Sequence, residues 1–265
     1  MPKILMLHRV LPEYVPDNYY FKRGTAISWH RFIKILDRIE IEEMQALPIS
    51  EIQQGCNDRC VFITFDDGYA DNSAALDEIL RRDMRATVFP VKQFVQEGFS
   101  PIDDMAFHLM AHDDVSPELY HSLMSGRLKK LLRRLSINRY RYLRRKWFGL
   151  TDDASPKDLF LTDQQLVDFV SRGIELGIHG SSHRIFTSLP DDELLQELND
   201  SRDWIKSLGI SENRSICFPH GSHDQRVSNI CSGFGSILLG VDAVPLCGSV
   251  QRRIHIKEAP NEFDY

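Results

Sequence analysis

The sequence predicts a single (β/α) barrel, an α/β fold, and three observations carry that expectation. Short apolar runs alternate with longer amphipathic stretches along most of the chain, as repeated βα units require. The length, 265 residues, suits one such barrel. Hydrophobic residues make up 42% and charged residues 26%, with 15 Gly and 12 Pro, so the core can be large and no disordered or collagen-like bias is present. A formal charge of -6 argues against whole-surface attraction to nucleic acid, which is not expected as a partner.

Taken in order, the predicted strands are Lys3 to His8, Val61 to Phe65, Ala86 to Val91, Ile174 to His179, Ser215 to Phe218, Ile237 to Val241 and Arg253 to Ile256. Each is a short apolar run bounded by polar or turn residues. The predicted helices are Ser28 to Arg38, Asp71 to Arg82, Thr162 to Arg172, Asp191 to Leu208 and Asp224 to Ser232. Thr162 with Gln165 reads as a capping box, the Thr accepting from the third backbone N–H while the Gln reaches back. The alternation breaks between residues 100 and 160, read as a helical insertion in one domain spanning 1–265. Within it, Gly126 to Leu150 holds ten bases and no acidic residue, with Leu128, Leu131, Leu132 and Leu135 at helical spacing. That is either a solvated amphipathic helix or a surface facing lipid headgroups, a pyrophosphate or a partner, with Arg127 to Lys146 in contact.

The five cysteines, Cys56, Cys60, Cys217, Cys231 and Cys247, lack paired zinc-ligand spacing and read as reduced thiols. The opening apolar run Ile4 to Leu7 is too short for a signal peptide, and no stretch approaches a membrane span, so a cytoplasmic location is expected, with peripheral membrane contact through Arg127 to Lys146 as an alternative to a solvated basic helix.

The sharpest chemical feature is Thr64-Phe65-Asp66-Asp67-Gly68-Tyr69 after an apolar run. Adjacent carboxylates at a strand's carboxyl end lie where barrels place their sites, and their mutual repulsion favours a nearby cation. The plainer reading is a loop in which Asp caps the helix beginning near Asp71. The second feature is His179-Gly180-Ser181-Ser182-His183, whose two imidazoles can converge on one divalent ion. With one carboxylate from the first loop they make a set with positions open for water.

These two segments, followed by Phe218-Pro219-His220-Gly221, resemble in order and context the first three motifs of the polysaccharide deacetylase family of carbohydrate esterases. The resemblance runs from about Lys3 to Ile256. It implies a distorted (β/α) barrel with Asp66 as catalytic base and Asp67, His179 and His183 as ligands of a divalent metal, usually zinc. Where the family usually has Pro-Tyr-Gly this chain has Pro219-His220-Gly221, and the middle backbone N–H is the implied oxyanion donor. Many members carry, two residues before that Pro, an Arg that orients the base. Here the residue is Cys217, and Arg253 is the candidate substitute, unless it is simply an exposed strand-end residue. The family's Leu-x-x-His motif, which supplies the general acid, is missing from the carboxyl end. Leu5-Met6-Leu7-His8 carries it at the amino end, as in permuted members, which makes His8 the candidate acid and His255 the second candidate. His220 and His223 are placed near substrate; His30, His108, His112 and His121 are expected on the surface.

The implied activity is metal-dependent hydrolysis of an N-acyl group, acetyl above others, from an amino sugar. With no export signal expected, the substrate would be nucleotide-linked, lipid-linked or a growing glycan in surface-polysaccharide or O-antigen assembly. Two other readings stand beside it: a retired deacetylase fold that binds glycan without turnover, and a hydrolase of an O-acetyl ester or a non-sugar amide.

Overall fold

The structure, a computed structural model, describes residues 3–53, 58–98, 100–111, 117–132, 135, 137–148, 158–210, 215–241 and 249–258. Its centre is a parallel sheet in the order β10 (Ile254–His255), β1 (Lys3–Leu7), β5 (Cys60–Asp67), β6 (Ala86–Pro90) and β7 (Glu175–Leu176), with β4 (Gln45–Ala46) also paired to β5. A second parallel pair, β8 (Ser215–Cys217) with β9 (Ile237–Leu239), continues the wall. Single bridges join the two: Ile178 pairs with Ile216, and Leu239 pairs with Gln251 just before β10. The strands thus run round a closed but irregular barrel, whose first and last strands, β1 and β10, are neighbours in register Met6 to His255. A small parallel pair, β2 (Arg9–Leu11) with β3 (Ala26–Ser28), which has the short helix α1 (Tyr19–Lys22) between its strands in the chain, lies beside it and was not expected from the sequence.

Alternation along β5 explains both layers of the core. Val61, Ile63 and Phe65 pack outward under helices α2 (Trp29–Ile41), α3 (Asn72–Arg81) and α9 (Asp163–Ser171), whereas Phe62 packs inside the barrel with Ile4, Phe89, Cys217 and Leu239. Every residue of β5 is buried, which is why it reads as an unbroken apolar run until its two Asp. The same alternation carries Thr64 and then Asp66 up the inner face. At Gly177 the chain passes so close to the ring of Phe89 that a Cβ would lie 2.0 Å from it, so no larger residue fits. There the ladder to β6 ends, and Ile178 turns to β8 instead, donating to Ser215 O at 3.0 Å. The predicted strand Ile174 to His179 is accordingly split between two partners.

The predicted helices are all present within a few residues: α2, α3, α9, α10 (Asp191–Ser207) and α11 (Gln225–Cys231). Ser28 caps α2 through Arg31 N, and Thr162 and Gln165 form the capping box expected at α9. Asp71, by contrast, makes no side-chain cap on α3; its carboxylate pairs with Arg9 at 2.6 Å. Cys60, Cys217 and Cys231 are free and buried, while Cys56 and Cys247 lie outside the described residues. No helix among the described residues is long and apolar enough to cross a membrane.

Between β6 and β7 the chain forms α4 (Lys92–Glu97), α5 (Pro101–Ala111), α6 (Pro117–Met124), α7 (Arg127–Leu132) and α8 (Ile137–Phe148). The basic segment is therefore two helices rather than one; Arg133, Arg134 and His112 lie outside the described residues. Leu128, Leu132 and Leu135 face a satellite core with Met105 and Leu109 of α5. Two residues depart from expectation. Arg144, read as part of a solvated basic face, is fully buried and pairs with Asp104 at 2.9 Å, and His108, expected on the surface, is buried against both. A helix-spaced Asp, His and Arg on packed faces satisfy one another, which a count of charges cannot reveal. Arg145 and Lys146 do remain exposed.

Removing the Arg144 charge leaves Asp104 buried without its cation, so Arg144→Gln should destabilise the fold by about 3–5 kcal/mol. Lys146→Gln, two residues on, should change it by under about 0.5 kcal/mol. Urea unfolding of the two variants measures both.

Candidate active site

Four strand ends and their following turns deliver the candidate residues to one mouth of the barrel, as the carboxyl ends of parallel strands do in this architecture. The two carboxylates end β5, His179 follows β7, Pro219-His220-Gly221 follows β8, and His8 follows β1. Apart from Pro219 they line an open cavity of about 830 Å³, whose walls also include Tyr19, Tyr20 and Asp103.

Asp67, His179 and His183 present one ligand atom each, all within 4.8 Å of one another. Asp67 Oδ1 faces His183 Nε2 at 3.2 Å and His179 Nε2 at 3.5 Å. His179 donates from Nδ1 to Cys217 O at 2.8 Å, which turns its Nε2 toward the carboxylate. A backbone acceptor behind a ligating imidazole is the usual way such a ring is aimed at a metal. The backbone is bent to the same end: Asp67 and His183 adopt left-handed φ values of 70° and 61°. Non-glycine residues there cost of order 1–3 kcal/mol each and persist where surroundings hold them. Two neutral-capable imidazoles and one carboxylate oxygen sharing a buried point fit a divalent ion of the zinc class.

Asp66 points inward beside this cluster and is gripped by Arg253, whose Nη1 donates to Oδ1 at 2.7 Å and Nη2 to Oδ2 at 2.8 Å. Arg253 is wholly buried rather than an exposed strand-end residue, and its Nε also donates to Gly240 O at 3.2 Å. Cys217 completes the packing, its Sγ 2.7 Å from Arg253 Nη2 and 3.6 Å from Asp66 Oδ2. Burial alone would push the Asp66 carboxyl up; the Arg253 guanidinium, with help from His179, outweighs it and holds the group near 2. Burial likewise opposes ionisation of Asp67, and His183 and His179 draw it below the usual carboxylate range.

His8, just past β1, and His255, on the adjacent strand β10, have ring centroids 5.4 Å apart. Burial, then the charges of His8 and Lys257, push His255 down to about 3. The His220 ring packs edge-on against His183, centroids 4.4 Å apart, in a left-handed backbone at φ 60°. Gly221 N is already committed to Phe218 O at 2.8 Å, so of the two N–H groups in this turn the one of His220 is the candidate oxyanion donor. His223 is stacked on Phe218 and bound to Gly221 O, a wall residue behind that turn.

Two contributors were not expected from the sequence. Asp103 of α5 reaches the cavity and accepts from Tyr69 Oη at 3.1 Å. Glu197 of α10 accepts from the backbone N–H groups of Ser181 and Ser182, both at 2.8 Å. Glu197 was legible in principle: it falls between Leu194, Leu198 and Ser201 on the apolar stripe of its helix, an unusual place for a charge.

The chain matches the family described as polysaccharide deacetylase over residues 53–236, more than half its length. In structure it is similar to a Streptococcus pyogenes deacetylase, PplD, with TM-score 0.64 and 15% identity over 97% of this chain and 92% of that one. It is also similar to a de-N-acetylase from Aggregatibacter actinomycetemcomitans, with TM-score 0.65 and 14% identity over 99% of this chain and 97% of that one. For the BpsB deacetylase domain from Bordetella bronchiseptica the TM-score is 0.59 and the identity 17%, over 96% and 95%. At such identities the likeness is one of fold, the distorted (β/α) barrel of these deacetylases. No curated protein matches the chain in sequence.

With Asp66 held near 2 against an ordinary value of 3.8, the folded state releases its proton more readily than the unfolded one. Stability from this pair is thus complete above about pH 4 and is lost as pH falls through 2, an increment of roughly 2 kcal/mol. In Arg253→Leu burial is opposed only by the nearby imidazoles of His179 and His8, so Asp66 should take up its proton at a higher pH and the acid unfolding midpoint should move upward. Acid titration of the two proteins by circular dichroism measures the shift.

Proposed function

Because the chain belongs to the polysaccharide deacetylase family, and is thereby a carbohydrate deacetylase, we propose that it is a metal-dependent hydrolase removing an N-acyl group, acetyl above others, from an amino sugar. The observation that carries this reading is the convergence of Asp67, His179 and His183 beside an ionised, buried Asp66. Held by those three residues, a divalent ion such as zinc supplies Lewis acidity that polarises the amide carbonyl and makes water more acidic.

The chain's own residues do the rest. Asp66, kept ionised by Arg253, accepts the proton of the attacking water as its oxygen bonds to the carbonyl carbon. The N–H of His220 donates to the oxyanion that forms, and Pro219 and Gly221 fix that donor in its turn. His8 then gives a proton to the departing nitrogen, the C–N bond breaks, and the carboxylic acid and free amine are released. His255, pushed down to about 3, is neutral near pH 7 and holds no proton to give, which favours His8 as the acid.

Arg252 and Lys257, exposed at the cavity rim, support a substrate attached to an anionic carrier, a nucleotide or lipid diphosphate of the kind used in surface-polysaccharide or O-antigen assembly. Exposed Arg145 and Lys146 on α8 would favour peripheral contact with an anionic membrane. A second reading, a retired fold that binds glycan without turnover, draws on Cys217 in the place of the usual Arg; the two-pronged grip of Arg253 on Asp66 weighs against it.

Acetate release from N-acetyl and O-acetyl sugars decides among these readings, and binding with no release from any acylated sugar would establish the retired one. Asp67→Ala should lose bound metal and activity together in elemental analysis and assay. Asp66→Asn should keep the metal yet lower turnover by roughly 10²–10⁴. His8→Ala should depress turnover on an amide while sparing an activated ester, whose leaving group needs no proton, and His255→Ala should cost much less on both. Interchanged behaviour of the two His variants would move the acid to the carboxyl end of the chain.

A further inference from the structure

We infer that Glu197 is a positioning residue that sets the metal affinity of the site by clamping the turn between its two imidazole ligands, an inference resting on the metal-binding reading above. The turn Gly180-Ser181-Ser182 separates His179 from His183. Gln93 N anchors it by donating to Ser181 O at 2.9 Å, and Glu197 holds it through four contacts. Its Oε2 accepts from Ser181 N at 2.8 Å, Ser182 N at 2.8 Å and Ser181 Oγ at 3.2 Å, while Oε1 accepts from Ser182 Oγ. One buried carboxylate thus ties down two successive backbone N–H groups and two hydroxyls.

The turn is also pressed onto its seat. Gly180, at φ 77°, lies so that a Cβ would stand 3.0 Å from the Phe186 ring and 3.2 Å from Glu197 Oε2. His183 follows immediately in a left-handed conformation that a free chain would abandon. With the two preceding N–H groups fixed to Glu197, that backbone is held, and Nε2 of His183 stays 3.2 Å from Asp67 Oδ1. Glu197 stands on the inward stripe of α10, beside Leu194, Leu198 and Trp204, so the helix acts as a rigid support. Only a residue long enough to reach both amides, with an oxygen to receive them, can serve there.

Length and charge can be separated with two conservative variants. Glu197→Gln keeps the reach: its amide oxygen can accept both backbone N–H groups and its NH₂ can donate to Ser182 Oγ. Glu197→Asp keeps the charge but is one methylene too short. Zinc affinity is measured for each by competition with a chromophoric chelator, alongside the visible spectrum of the cobalt-substituted protein. Glu197→Asp should bind zinc about 10–100-fold more weakly, the usual cost of losing support behind a ligand, and should show an altered cobalt spectrum. Glu197→Gln should bind nearly as wild type with an unchanged spectrum. Equal zinc affinity in Glu197→Asp and wild type would overturn the clamp, as would a Gln variant as weak as the Asp variant, which would show that reach with an accepting oxygen does not suffice. A wild-type protein that takes up no zinc overturns the metal reading and this inference together, whereas zinc bound equally by all three proteins overturns the clamp alone.

Discussion

The site is organised around one buried ion pair. Arg253 sits at the start of the last strand and Asp66 near the end of a central one, and their two hydrogen bonds at 2.7 and 2.8 Å span the barrel interior. A charge so buried is tolerable only when its partner is fixed in place. Thr64, Gly240 and Cys217 provide that fixation, each touching the guanidinium from a different part of the wall. The pair therefore keeps Asp66 ionised and, at the same time, commits β10, β5 and β8 to one arrangement.

Around this centre the chemistry divides by sign. Asp66 is already neutralised by an arginine, whereas Asp67 shares its space with the imidazoles of His179 and His183. Adjacent residues on a strand face opposite ways, which would send the second Asp into the outer core. The left-handed turn at Asp67 and Gly68 removes that problem by swinging it back over the mouth. Two neighbouring carboxylates can then play different parts because their surroundings, rather than their own chemistry, differ.

Much of this could be read from the sequence, and what could not has physical reasons. Apolar runs marked the strands, because parallel strands buried on both faces need them, and Asp66, Asp67, His179 and His183 stood out by following such runs. Arg253 could be only a candidate, since a long side chain on a remote strand leaves no local pattern. The split of the Ile174 to His179 run depended on the ring of Phe89 reaching Gly177, a contact 88 positions away in the chain. Arg144 and His108 misled for a related reason: a basic helix is read as solvated until the neighbouring helix brings an Asp to it. Glu197 stands out only as a charge on an apolar helical stripe; two of its four contacts are backbone N–H groups, which have no letter of their own, and the other two are serines with no local link to it.

Among the described residues the barrel wall is held by ladders except at two places, where single bridges at Ile178 to Ile216 and Leu239 to Gln251 stitch the larger sheet to the smaller. Those seams are where local opening costs least, because one bridge resists separation instead of a ladder. His179 follows one seam directly, and Arg253 follows the other by two residues. Any ligand held between residues on both sides of a seam stabilises the closed form in proportion to its occupancy. His179 Nδ1 donating to Cys217 O and Arg253 Nε donating to Gly240 O each cross a seam, so the side chains that shape the mouth also hold the cylinder closed.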